Sequence, residues 1–85
     1  MRHVATRFGP DGIRANVISL GVIRHARFEA QVSAETASQL KEGVVLNCLG
    51  PSADAAAMSA LLMSDEGAFV TGQVICVDGG GSMRQ

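Results

Sequence analysis

Hydrophobic and polar positions change period several times along this chain, and each change marks a predicted element. Val4, Ala5 and Phe8 fall at helical spacing, so residues 1–8 read as the last two turns of a helix with no capping residue before them. Gly9-Pro10-Asp11-Gly12 stops that helix, because Pro10 fixes its φ and the flanking glycines relax the backbone. Residues 13–19 alternate less than a half-exposed strand would. Ala15, Val17 and Ile18 suit a strand covered on both faces, and Gly21 ends it. Residues 22–50 are irregular except for one predicted helix, opened by Ser33 as N-cap, carrying Ala34, Ala37 and Leu40, and stopped at Gly43. A second helix starts at Ser52 as N-cap and puts Asp54 in the first turn, where the helix dipole favours a carboxylate. Its stripe is Ala55, Met58, Leu61 and Leu62. Residues 73–77 form a short β-rich run between Thr71-Gly72 and Asp78-Gly79-Gly80-Gly81, the pattern of a strand buried on both faces of a parallel sheet.

Strand, excursion, helix and strand in that order make a βαβ crossover, expected to be right-handed, and place the chain in the α/β class. Val17 and Ile75 are then expected in neighbouring parallel strands, with Leu61 or Leu62 packed across them. With 85 residues this is one small domain, of a size that buries only about 60 to 65% of its unfolded surface and is marginal alone. Composition narrows the class: 47% hydrophobic and 18% charged residues are too apolar for a disordered chain, and a net charge of -1 gives no field for nucleic acid. Cys48 and Cys76 belong to no Cys-x-x-Cys pair and are expected to be reduced, buried small hydrophobes. No apolar run approaches the ~20 residues of a membrane span, and no signal-peptide core follows Met1-Arg2-His3, so the expected compartment is the cytoplasm, with no membrane partner.

Few residues suggest chemistry by themselves. Gly79-Gly80-Gly81 is glycine-rich, but only Ser82 to Gln85 follow, too few for the helix that a phosphate loop opens; a flexible chain end is expected instead. His3, His25 and Cys48 lack metal-ligand spacing. Asp65-Glu66 reads as a solvated acidic turn, and Asp78 as the start of a turn held by its carboxylate. Ser33, Ser52 and Ser64 are caps or turn residues, since no base is spaced to activate them.

Two longer blocks say more. Phe69-Val70-Thr71-Gly72-Gln73 followed by Val77-Asp78-Gly79-Gly80 resembles the last sheet strand of the short-chain dehydrogenase/reductase family. Phe8-Gly9-Pro10-Asp11-Gly12-Ile13-Arg14-Ala15-Asn16-Val17-Ile18-Ser19 resembles the strand before it, in the right order and at the right spacing. The resemblance is weakest over residues 24–46 and corresponds to the C-terminal third of such an enzyme. It implies a single partial Rossmann-like domain over residues 1–85, the C-terminal part of a doubly wound parallel sheet, with a substrate-loop region at about residues 22–50.

The resemblance also implies a parent activity, NAD(P)-dependent oxidation or reduction of an alcohol/carbonyl pair. The family seats the cofactor's pyrophosphate on a Gly-rich loop opening a helix, and this chain has no counterpart. The family's acid/base pair is a Tyr and a Lys one helical turn apart, the ammonium lowering the phenol's pKa. Alignment on Phe8-Gly9-Pro10 puts that pair before Met1, and the chain contains no tyrosine, so no catalytic residue, no NAD or NADP binding and no activity are expected of it alone. The family's loop over the nicotinamide, a Pro-Gly pair followed by an aliphatic residue and a Thr, corresponds to Leu20-Gly21-Val22-Ile23-Arg24-His25. Gly21, Val22, Ile23 and His25 are therefore the candidate cofactor-binding residues, with Leu20 in the Pro position and His25 in the Thr position. A main-chain contact by Ile23 survives those changes and a hydroxyl contact does not. His25 is either an imidazole able to take up a proton beside the nicotinamide or a solvated loop histidine beside Arg24 and Arg27. The implied partners are a complementary dehydrogenase half or a second copy of this chain. Because the family's last strand and helix also build subunit interfaces, the alternative function is a non-catalytic oligomerisation module.

Overall fold

A computed structural model of the chain describes residues 1–83. Helix α1 (Arg2–Phe8) has no side-chain cap and runs into a 3₁₀ turn at Gly9–Asp11, where Gly12 takes φ 83° to release the chain. Strand β1 (Val17–Leu20) follows, then a two-residue strand β2 (Ile23–Arg24). Helices α2 (Ala26–Gln31) and α3 (Ala34–Glu42) fill the excursion. The two-residue β3 (Gly50–Pro51) leads into α4 (Ser52–Met63), and β4 (Val74–Val77) closes the sheet.

β1 and β4 pair in parallel, Val17 opposite Val74 and Ile18 opposite Ile75, with α4 crossing between them. Val17 and Ile75 thus lie in neighbouring strands, one position out of step. β2 and β3 form a second parallel pair at the mouth of the excursion, Ile23 opposite Gly50. The approach to the sheet is held by side chains as much as by backbone. Asn16 donates from Nδ2 to Val70 O at 3.0 Å and accepts from Gln73 N at 3.0 Å, while Arg14 donates to Val70 O and Ser64 O. Thr71 Oγ1 accepts from Ala15 N, and Gly72, at φ 72°, donates to Ala15 O at 2.8 Å. Residues 14–16 and 70–73 are therefore cross-stitched before the two strands begin.

Several expectations change. Neither strand is buried on both faces: β1 and β4 pair only with each other, so each keeps an open edge, and no residue of either is fully buried. The core among the described residues is Ala5, Val44, Leu49 and Leu62. Cys48 and Cys76, expected to be buried, are exposed for the same reason, because a two-stranded sheet and one crossing helix offer too little cover. Ser52 does not cap α4. Pro51 occupies the N-cap position, and Ser52 Oγ instead donates to Arg24 O at 2.8 Å, tying the helix start to β2. Ser33 caps α3 as expected, accepting from Thr36 N, and Gly43 ends that helix. On α4 the inward stripe is Ala55, Met58, Ser59 and Leu62, whereas Leu61 lies 41% exposed. Among the described residues no helix is long and apolar enough to cross a membrane.

Candidate functional site

The carboxyl ends of β1 and β4 lie side by side, and the chain leaves β1 through Gly21 and β4 through Asp78-Gly79-Gly80. Gly21 donates its N–H to Val77 O at 3.0 Å. A Cβ at position 21 would stand 2.7 Å from both Cα and Cβ of Asp78, so only a residue without a side chain lets the two strand ends pass this closely. Beyond Gly21, Val22 accepts from Gly50 N at 3.1 Å, and Ile23 pairs with Gly50 in the β2–β3 ladder.

After β4 the chain turns sharply. Asp78 Oδ1 accepts from Gly80 N at 2.9 Å and Oδ2 from Ser82 N at 3.2 Å, an Asx-type turn that leads into a 3₁₀ segment at Gly81–Met83. Hydrogen bonding from the Ser82 side chain first, then from the Gly80 amide, holds the Asp78 carboxyl below its ordinary range, because each bond favours the charged form. Gly79 and Gly80 take φ of 60° and 87°, and Gly79 O accepts from Leu46 N at 3.0 Å. The expected flexible end is instead a turn docked on the Val44–Leu46 segment: a Cβ on Gly79 would meet Val44 Cγ1 at 2.6 Å.

These pieces surround a cavity of about 490 Å³. Val22 and Ile23 line it, with residues 44–46, Met58, Met83, both cysteines, Asp54 and the turn at residues 77–80. His25 is not among the lining residues. It is the N-cap of α2, accepting from Phe28 N through Nδ1 at 3.2 Å and meeting the Phe28 ring edge-on. The imidazole acts here as a capping acceptor through Nδ1. Arg24 is engaged with Glu29 at 2.7 Å on the surface. Of the four candidate residues, Val22 and Ile23 line the cavity, Gly21 lies just before them at the end of β1, and His25 lies outside it. The wall from residues 44–46 was not legible in the sequence; its only signal is the pair of positive-φ glycines that must pack against something. Among the described residues no group of three or more His, Cys, Asp or Glu side chains is gathered as for a metal ion. A largely apolar hollow at strand carboxyl ends suits ligand binding.

Comparison with known proteins gives the chain its place. Residues 1–82 match the family model described as enoyl-(acyl carrier protein) reductase. A probable short-chain type dehydrogenase/reductase of Bradyrhizobium diazoefficiens is 40% identical over 77 residues, 91% of this chain and 27% of its own length. A short-chain type dehydrogenase/reductase from Mycobacterium ulcerans superposes with a TM-score of 0.90 at 40% identity, over 100% of this chain and 31% of that one. A 4-hydroxyisoleucine dehydrogenase solved with NADH superposes with a TM-score of 0.85 at 30% identity, over 99% of this chain and 35% of that one. The chain thus spans roughly three-tenths of the length of these relatives, and over that length its parallel strands and crossing helix are those of a Rossmann-type fold. With the two strand blocks, their cross-stitching and nearly the whole chain in agreement, the chain belongs to the short-chain dehydrogenase/reductase family.

Proposed function

We propose that this chain is the C-terminal part of an NAD(P)-dependent dehydrogenase/reductase acting on an alcohol/carbonyl pair, supplying the nicotinamide-side loop and the substrate loop while the phosphate loop and acid/base pair come from elsewhere. The observation that carries this reading is the apposition of Gly21 with Asp78, which puts residues 21–23 at the carboxyl ends of two parallel strands, where open α/β sheets take their ligands. In that role Gly21 allows close approach, and the main chain of Val22 and Ile23 holds the carboxamide of NAD or NADP. His25 serves at one remove, by fixing the start of α2. The chain alone neither binds the cofactor tightly nor turns over an alcohol, because nothing in its sequence grips a pyrophosphate or delivers a proton. Titrating the isolated chain with NADH and NADPH by fluorescence should give no saturation. A low-micromolar constant would show that the proposed division of labour is wrong.

A second reading is favoured by one specific observation. Phe69 is fully exposed, Met63 at the end of α4 is 81% exposed, and the sheet of β1 and β4 has open edges. Such a surface suits self-association, and the chain then works as an oligomerisation module. The two readings separate on whether joining the chain to the rest of a dehydrogenase restores hydride transfer.

A further inference from the structure

The start of α2 is held by a side chain whose hydrogen-bonding role changes with one proton. His25 stands at the N-cap in extended backbone, with φ -150° and ψ 171°, and its Nδ1 accepts from Phe28 N at 3.2 Å. A ring nitrogen accepts only while it bears no proton. In the imidazolium both ring nitrogens are donors, and Nδ1 would then face the Phe28 N–H donor to donor. Protonation also places a positive charge at the helix end where the aligned peptide dipoles are already positive. Both effects loosen the same turn, in the pH range where histidine side chains ordinarily change charge. The usual caps Ser, Thr and Asn hold through that range unchanged.

The rest of the first turn is held by the backbone bond from Glu29 N to His25 O at 3.0 Å and by the surface pair of Arg24 with Glu29 at 2.7 Å. α2 has six residues, none fully buried, so packing adds little and the cap is a large share of what orders it. The charged groups around the ring are Arg24 and Arg27 beside it in the chain, Glu29 on α2, Lys41 on α3 across a hollow that it lines with Phe28, and Asp54 in the first turn of α4, a helix tied to Arg24 O through Ser52. Glu29 already takes Arg24 Nε and Nη2 on Oε1, so an imidazolium would compete for that carboxylate with an arginine. We infer that His25 makes the first turn of α2 a pH-sensitive element, ordered while the imidazole is neutral and frayed once it is protonated. This element adjoins the cavity, because Ile23 of β2, two residues before His25, lines the cavity wall. The inference rests on the geometry of α2 and is independent of the dehydrogenase reading.

The full chain, labelled with ¹³C and ¹⁵N, is titrated from about pH 8 to about pH 5 while the His25 ring, the Phe28 amide and the Cα shifts of residues 26–31 are followed. The Phe28 amide should move with the same midpoint as the His25 ring, and the ratio of ordered to frayed first turn should fall about fivefold, as for loss of an ordinary N-cap. His25→Asn supplies an acceptor that does not titrate and should keep α2 ordered throughout, whereas His25→Ala should leave it frayed at both ends of the range. A Phe28 amide that ignores the His25 ring, a pH dependence of α2 that survives in His25→Asn and so belongs to another group, or α4 signals that move in step with those of α2 would each overturn the inference. The comparison of ring with amide is made on the unaltered chain, so it stands even if neither variant folds. No cofactor or substrate enters the measurement, and its failure leaves the dehydrogenase reading standing.

Discussion

A methyl group at position 21 would strike Asp78 Cα and Cβ at 2.7 Å, atoms of the backbone and side-chain stem that have no flexible end to move aside. Gly21→Ala should therefore cost about 1–3 kcal/mol, read as a lowered urea midpoint. Gly43→Ala is the control, since a Cβ there meets only Leu40 O at an ordinary 3.6 Å and φ is -80°, so it should be neutral or stabilise by about 0.4–1 kcal/mol. Equal effects of the two changes would contradict the close approach of the strand ends. Asp78 gives a second prediction at this scale. Its folded pKa is lowered, so its contribution to the turn is present above the ordinary aspartate value of about 3.9 and lost as pH falls through the lower folded value. The amide signals of Gly80 and Ser82 should titrate with a midpoint below that value; a midpoint at or above it would mean that the carboxylate is not holding the turn. Asp78 was legible as a turn starter because an Asx turn is a local event. The docking of Gly79 and Gly80 was not, because their partners Val44 and Val45 lie far upstream and only the fold brings them together. His25 as a helix cap was also illegible, since a histidine seldom takes a place usually held by Ser, Thr, Asp or Asn.

Among the elements, α4 shows how far periodicity reaches. Its composition of alanine, leucine and methionine predicts a helix against a sheet, but a helix apolar on every side does not reveal its own rotation. Tertiary packing chose Leu62 over Leu61: Leu62 is buried at 9% and Leu61 is left 41% exposed. Leu62→Ala should cost about 2–5 kcal/mol, enough to abolish cooperative unfolding in a domain this small, whereas Leu61→Ala should cost less than about 1 kcal/mol. Chemical denaturation of the two single variants checks this, and equal losses would mean that α4 sits in a different rotation. The strands were legible in type and pairing, yet their burial was not. A β-rich run predicts a covered strand, and the cover depends on neighbours that sequence pattern alone cannot supply. The cross-stitching by Asn16 and Arg14 had no periodic signal at all, although both residues lie in the blocks that carry the family resemblance.

At the scale of the whole molecule, surface area says what the chain lacks. Its accessible surface is 6176 Å², whereas a compact monomer of 8.8 kDa would expose about 4,800 Å². Its radius of gyration is 15.6 Å against roughly 12 Å expected for this length. The surplus of roughly 1,400 Å² exceeds the ~800 Å² that one partner contributes to a standard interface. Val17, Leu20 and Val74 are among the exposed apolar residues, so that surplus includes the sheet itself. At micromolar concentration the isolated chain should sediment as a dimer or larger species, and a folded 8.8 kDa monomer at high concentration would contradict this. The central claim, that this chain completes a dehydrogenase, is tested most directly by a chimera. The corresponding 31% of the Mycobacterium ulcerans dehydrogenase/reductase is exchanged for this chain, and oxidation of NADH and NADPH by a panel of ketones is followed at 340 nm. The account predicts turnover by the chimera and its loss on Gly21→Val; a folded chimera that binds neither cofactor, or one indifferent to Gly21→Val, would contradict it.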